Sequence, residues 1–285
     1  MDKREGVPSL IVATVIWGST FPLIKLLMGK ITPLSYVIYR SLAASLPLLP
    51  LTLIRRLSLP MVSAGLVLGI LYFFGLYLQA LGITYTTSSN AAFITSFSVP
   101  LVCVLETLFL KRKPSRTLIL SMLIAVTGIT LLSLNLKSFV PSIGDLIVLL
   151  STIFWAFQII YVDKYSKKYG ILLLTSLELA FSGVIGTCIG ALSLEKLDFL
   201  KWNDLIIVLY LSLVCSDVAC LLQVYGQRST SSTQAAIIYT LEPVFATIFA
   251  AIILREALSN LQYIGAFLVL IATYLATKAK VVEVF

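Results

Sequence analysis

The sequence predicts an all-α integral membrane protein of ten transmembrane helices arranged as two inverted five-helix repeats. Three observations carry that prediction. The chain is 59% hydrophobic and 12% charged, with a mean hydropathy of +1.02, whereas soluble domains carry about 25% charge. Its apolar residues fall in continuous runs of roughly 20, each enough for a helix to cross a hydrocarbon core of ~30 Å. Residues also recur. Trp17 returns as Trp155 and Arg40 is set against Glu178 at one offset; Thr87-Ser88-Ser89, Ala92 and Pro100 return as Thr230-Ser231-Ser232, Ala235 and Pro243 at a slightly longer one. The longer loop around Leu194 to Asn203 accommodates the slip.

An odd number of crossings per copy forces the copies into opposite orientations. That is transporter architecture, with a solute site between the halves near mid-membrane. The repeats are expected at 1–136 and 144–285, joined by a short external linker at 137–143. Because the runs are continuous rather than alternating, and lipid leaves each backbone N–H and C=O to be satisfied internally, they are helices rather than barrel strands.

The first helix, 8–28, exceeds a signal-peptide apolar core; Trp17, Pro22 and Lys25 interrupt it without a small-residue cleavage site, so it is expected to stay attached. Helix 2, 33–54, begins at Pro33 and carries Arg40. Helices 3 and 4, 60–83 and 90–110, carry Gln79, and Asn90, Ser96, Pro100 and Glu106. Helix 5 is expected at 117–136, and helix 6 at 144–162, with Ser151, Trp155 and Gln158 on one face. Helix 7, 171–193, holds Glu178; helix 8, 204–226, holds Asp217 and Gln223. Helix 9, 233–253, presents Ala235, Tyr239, Glu242 and Ala246 on one face, and helix 10 closes the chain at 260–278.

Basic residues orient the bundle. With both termini cytoplasmic, the inside loops hold Lys3, Arg4, Arg55, Arg56, Lys111, Arg112, Lys113, Arg116, Lys164, Lys167, Lys168, Arg228, Lys278 and Lys280. The outside loops hold Lys30, Lys137, Lys196, Lys201 and Arg255. The net charge of +8 is therefore an insertion signal in a cytoplasmic (inner) membrane, and no nucleic-acid partner is expected. Cys103, Cys188, Cys215 and Cys220 all fall within helices, without a CxxC or any histidine, so neither a metal site nor a cofactor is expected.

Two stretches resemble a known family. Trp17-Gly18-Ser19-Thr20-Phe21 with Lys25, Pro33 and Arg40, and Leu241-Glu242-Pro243-Val244-Phe245 running on to Arg255-Glu256 and Leu258-Ser259, resemble EamA-type members of the drug/metabolite transporter superfamily. The resemblance covers nearly the whole chain. It implies ten helices in two inverted repeats, export or exchange of small organic solutes such as amino acids, and a cavity lined by helices 1, 3, 4, 6, 8 and 9. Lys111-Arg112-Lys113 stands where an acidic residue often closes the first repeat's pattern, so a role for that carboxylate does not carry over.

Ionisable groups in lipid are costly and carry a functional hypothesis by default. The candidate substrate-binding residues are Trp17, Thr20, Phe21, Gln79, Asn90, Ser96, Trp155, Gln158, Asp217, Tyr239 and Glu242. Lys25, Arg40, Glu178, Asp217 and Glu242 are candidates for charge pairing or coupling, with Arg40 within reach of Asp217 or Glu242. Pro22, Pro100 and Pro243 are candidate kinks. Glu242 is read as a carboxylate for a cationic group or a proton, or as a structural acceptor for a neighbouring helix. The tryptophans are read as pocket walls or as anchors. Glu106 is read as a structural partner for the Lys111 to Arg116 cluster. The expected partners are a small-molecule solute, the bilayer and, as a coupling ion, protons; a monomer suffices. Proton-coupled efflux of drugs or nucleosides is the competing reading. An intramembrane enzyme would need a nucleophile with its base, a metal set or a carboxylate pair at helical spacing; of these only a spatial pair such as Asp217 and Glu242 stays open.

Overall fold

The computed structural model describes residues 3–54, 57–133, 142–194, 197–254, 259–279 and 281–283. Arg55, Arg56, Lys137, most of the 137–143 linker, Lys196, the Arg255-Glu256 and Leu258 positions of the second motif, and Lys280 lie outside them.

The described chain is nearly all helix: α1 (Lys3–Gly18), α2 (Thr20–Leu27), α3 (Pro33–Ile54), α4 (Leu59–Tyr85), α5 (Ser88–Thr95), α6 (Ser98–Leu110), α7 (Arg116–Ser133), α8 (Ile143–Ser166), α9 (Ile171–Ser193), α10 (Trp202–Ser212), a π-helical turn (Leu213–Val218), α11 (Ala219–Gln227), α12 (Ser232–Tyr239), α13 (Leu241–Leu254) and α14 (Asn260–Lys278). Seven helical stretches are long and apolar enough to cross a membrane: Gly6–Leu27, Leu59–Tyr85, Ser88–Leu110, Ile143–Ser166, Ile171–Ser193, Trp202–Gln227 and Asn260–Lys278. That is fewer than the ten expected, a count taken over the described residues. Among these, α7 offers a shorter apolar run over Arg116–Leu132, while α3 and α13 end against undescribed residues.

Three of the expected helices are broken, each just before a proline. The breaks fall at Ser19, at Ser96-Phe97 and at Thr240, and each of Pro22, Pro100 and Pro243 is the third residue of the segment that follows. A proline there lacks the N–H that would bond four residues back. The backbone tightens instead: Ser19 N–H donates to Ile16 O at 3.2 Å, Phe97 to Ile94 O at 3.0 Å and Thr240 to Ile237 O at 3.2 Å.

The helices cross tightly where glycines meet. A Cβ on Gly82 of α4 would stand 2.7 Å from the carbonyl oxygen of Gly144 on α8, and one on Gly6 of α1 would stand 2.8 Å from that of Gly226 on α11. Small residues let membrane helices approach this closely. Elsewhere α3 lies along α9 and α14 along α7. A short antiparallel ladder, β1 (Arg112–Pro114) with β2 (Val281–Glu283), joins the α6–α7 connection to the C-terminal segment.

Candidate functional site

A cavity of about 700 Å³, mouth included, opens between these helices. Trp17 and Thr20 reach it from α1 and α2, Arg40 from α3, and Tyr72, Leu76 and Gln79 from α4. The break between α5 and α6 adds Thr95, Ser96, Ser98 and Val99; α8 adds Trp155, Gln158 and Ile159; Gln223 comes from α11, and Ala236, Tyr239, Thr240 and Glu242 from α12 and α13. Of the candidates, Trp17, Thr20, Gln79, Ser96, Trp155, Gln158, Tyr239 and Glu242 thus share one wall system.

Phe21, Asn90 and Asp217 do not line it. Phe21 is buried in an apolar cluster with Ile24 and Leu27. Asn90 sits in the first turn of α5, its N–H capped by Thr87. Asp217 lies on the π-turn, whose changed register a continuous α-helix over 204–226 does not foresee. Tyr72, Thr95, Ser98 and Thr240 were missed. Tyr72 and Leu76 precede Gln79 at helical spacing, a signal that would have found them.

The π-turn builds the site's most connected corner. Ala219 N–H donates to Val214 O and Ser216 O, which leaves the Cys215 carbonyl without the helical donor it would otherwise have. That oxygen accepts from Trp17 Nε1 at 2.9 Å and Arg40 Nη2 at 3.3 Å. Arg40 Nε donates to Ser216 Oγ at 2.8 Å and Nη1 to Tyr36 Oη at 2.5 Å. Tyr72 Oη lies 2.8 Å from the same Ser216 Oγ. Rings line up around this corner: Trp17 stands edge-on to Tyr239, centroids 5.4 Å apart, and Trp155 to Tyr72 at 5.6 Å. Gly75 makes room for the second pair, since a Cβ there would stand 2.9 Å from Trp155 Cε2.

Also in the wall, Gln158 and Gln223 exchange amide hydrogen bonds at 2.9 and 3.1 Å, and Gln158 Nε2 donates to Glu178 Oε1 behind it at 2.8 Å. Glu178 is fully buried, and its Oε2 has no partner. The ion pairs considered from sequence do not form: among the described residues no carboxylate lies within 4.0 Å of Arg40, Lys25 or any cation opposite Glu178, Asp217 or Glu242. Arg40 is held by neutral acceptors instead. Lys25 Nζ binds the Ile83 and Thr86 carbonyls at 2.7 and 2.6 Å, capping the end of α4, where a cation suits the helix dipole.

Several polar atoms at the cavity have no partner. Thr20 Oγ1, Trp155 Nε1 and Tyr239 Oη are buried and make no hydrogen bond among the described residues, although such groups are normally satisfied. Glu242 accepts no hydrogen bond among the described residues.

One end of the bundle is locked by charge. Lys111 takes a left-handed conformation (φ 52°, ψ 37°) that ends α6. The next residue, Arg112, pairs with the fully buried Asp163 at 2.6 Å and lies 3.5 Å from Glu106 Oε1. Asp163 also binds Lys167 and, at 2.8 Å, Ser232 Oγ, while Glu106 Oε2 accepts from Thr233 N–H at 2.8 Å.

The EamA-like transporter family model matches residues 4–134 and again 142–278. An uncharacterized transporter of Archaeoglobus fulgidus is 30% identical over 94% of this chain and 84% of its own. The uncharacterized inner membrane transporter YedA of Escherichia coli is 25% identical, over 98% of this chain and 94% of its own. A protein of known crystal structure superposes with a TM-score of 0.79 over 96% of both chains at 13% identity, a likeness of fold alone.

Proposed function

The chain belongs to the EamA-like transporter family, and on that premise we propose that it moves a small organic solute of the amino-acid class across the cytoplasmic membrane by alternating access, as a monomer. The observation that carries this reading is the aromatic cavity with unpartnered polar atoms at its wall: Thr20, Trp155 and Tyr239 beside the open carboxylate of Glu242. Rings supply contact area, and a few polar groups fix orientation.

In this reading α1–α2, α3, α4, α5–α6 and α7 make the first five crossings, within 1–136, and α8, which starts at Ile143, one residue ahead of the expected 144–285 repeat, α9, α10–α11, α12–α13 and α14 the second five. The glycine crossings support an inverted relation, because Gly6 on Gly226 repeats, with the halves exchanged, the contact of Gly144 on Gly82. The positive-inside rule puts Arg112 and Asp163 on the cytoplasmic side, with both termini.

The difference between repeat-related segments supports one state of the cycle. Every residue of α12 (Ser232–Tyr239) is buried, whereas Ser89 is exposed and Ser88 and Asn90 are half-buried at the matching end of α5. The cytoplasmic end is closed over Asp163 and the external end is looser, an outward-facing arrangement. Proton coupling through Asp217 or Glu242 is a further element of the proposal, to be dropped if transport ignores an imposed pH gradient.

The test is counterflow in proteoliposomes with labelled amino acids, nucleosides and lipophilic cations. Exchange of an amino acid supports the reading. Exchange of a nucleoside or cation alone moves the protein to the competing efflux class, and no exchange by monodisperse protein removes the transport assignment.

A further inference from the structure

Resting on that transport reading, we infer that Arg40 is a carboxylate receptor in the cavity it shares with the open carboxylate of Glu242, so that the solute must be a zwitterion and not an amine, a nucleoside or a lipophilic cation. Arg40 lines the cavity yet is only 2% exposed, and its partners among the described residues are all neutral: Ser216 Oγ, Tyr36 Oη and the Cys215 carbonyl. A guanidinium has five N–H donors. These three bonds use Nε and one hydrogen on each terminal nitrogen, leaving one N–H on Nη1 and one on Nη2. Two N–H groups on the terminal nitrogens of one guanidinium can meet the two oxygens of a carboxylate.

The cation is also prevented from neutralising itself. Ser216 Oγ, which holds Nε, is fixed by Tyr72 Oη at 2.8 Å and by its own bond to Leu211 O at 3.2 Å. The Cys215 carbonyl is available because the π-turn releases it. Arg40 is thereby tethered to α10–α11 and makes no ion pair with Glu242, although both line one cavity. An uncompensated charge in the membrane interior is costly. An amine would neutralise Glu242 and leave Arg40 bare, and a simple carboxylate would do the reverse. A zwitterion satisfies both at once, with Trp17, Tyr72, Trp155 and Tyr239 left to receive its side chain.

The experiment is counterflow of the twenty labelled L-amino acids in wild-type proteoliposomes, followed by competition with the amide and the decarboxylated amine of whichever amino acid exchanges. Both analogues should compete at least about thirtyfold more weakly, since each leaves the buried Arg40 charge without its partner. Arg40→Lys, which keeps the charge and loses the fork, should raise KM for the amino acid at least about tenfold. An amine or amide competing as well as its parent overturns the carboxylate assignment and leaves transport standing, as does exchange of nucleosides or cations alone. If nothing exchanges, both readings fall. The ligand comparison uses wild-type protein, so it decides the matter even if Arg40→Lys does not fold.

Discussion

The indole N–H of Trp17 donates to the carbonyl oxygen of Cys215 at 2.9 Å, across the two halves of the sequence. The bond exists because the π-turn at Leu213–Val218 withholds the usual helical donor from that oxygen. The family motif at the start of the chain is therefore anchored to a backbone irregularity in the second half. Trp17→Phe keeps the ring against Tyr239 and removes the donor. A buried neutral hydrogen bond contributes about 0.5–1.5 kcal/mol net, so solute KM in counterflow should rise roughly two- to tenfold with little change in maximal rate. An unchanged KM would mean that solute binding does not depend on this bond.

The two signature motifs also touch directly. A Cβ on Gly18 would stand 2.5 Å from Phe245 Cβ and 3.0 Å from Ala246 N, and backbone cannot yield as a flexible side chain can. Overpacking of this kind costs about 1–3 kcal/mol. Gly18→Ala should lower the thermal unfolding midpoint in detergent, while Gly29→Ala, with nothing within 4 Å of its Cβ, should leave it in place. Equal midpoints for the two variants would show that α1 and α13 separate at no cost.

Arg112 neutralises buried Asp163 from the connection that follows α6, helped by Lys167. Removing one partner of a buried pair leaves the other uncompensated, at a cost of about 3–5 kcal/mol. If this cluster is the closed cytoplasmic gate, Arg112→Ala should shift the protein toward the inward-open state. Spin labels at Lys113 and Lys168, both exposed, should report a longer, broader distance distribution in the variant; an identical distribution would mean that the cluster stabilises the fold without gating it.

Outside the membrane, the loop before α10 is clasped to the start of α3. Thr32 N–H donates to Asp198 Oδ2 at 2.6 Å, Asp198 N–H to Ser35 Oγ at 3.1 Å, and Tyr39 Oη to the Asp198 carbonyl at 2.6 Å. Burial alone would raise the Asp198 pKa, but the hydrogen bonds from Thr32 and Ser35 outweigh it and hold the carboxyl below its ordinary value. A lowered folded pKa means that the clasp contributes fully above the unfolded value of about 3.9 and is lost as pH falls through the folded one. Protection of the Thr32 amide against exchange, taken relative to the intrinsic rate at the same pH, should fall below about pH 4 in wild type and be low at all pH values in Asp198→Asn. Wild-type protection that is independent of pH across that window would discount the clasp.

Much of this was legible in the sequence, for identifiable reasons. Trp17 and Trp155 could be paired because the duplication preserves them, and Pro22, Pro100 and Pro243 mark helix breaks because proline lacks a donor wherever it stands. The π-turn was not legible: Leu213 to Val218 contains no glycine or proline, and the turn is tied by contacts with Trp17, Arg40 and Tyr72 that are distant in sequence. Lys25 reads from sequence as a candidate for charge pairing or coupling near the outer end of its helix, and the structure gives it the carbonyls at the end of α4. The Lys111-Arg112-Lys113 departure from the family pattern looked like a loss, yet Arg112 is the residue that reaches Asp163 and Glu106.

The two carboxylates considered for solute or proton work are separated by the fold, and that sets an order for their variants. Glu242 lines the cavity, accepts no hydrogen bond among the described residues and sits one residue before Pro243, in the first turn of α13. Asp217 is buried on the π-turn outside the cavity wall, with Oδ1 unpartnered. Glu242→Gln keeps shape and removes the charge that would meet an ammonium group, so it should weaken solute exchange by about thirtyfold or more, as truncating a buried charge contact costs 2–5 kcal/mol. Asp217→Asn alters no wall atom and should weaken exchange less. Side-by-side counterflow of the two folded variants checks the order. If Asp217→Asn is the more damaging, the solute reaches the π-turn itself, and the cavity described here is only its antechamber.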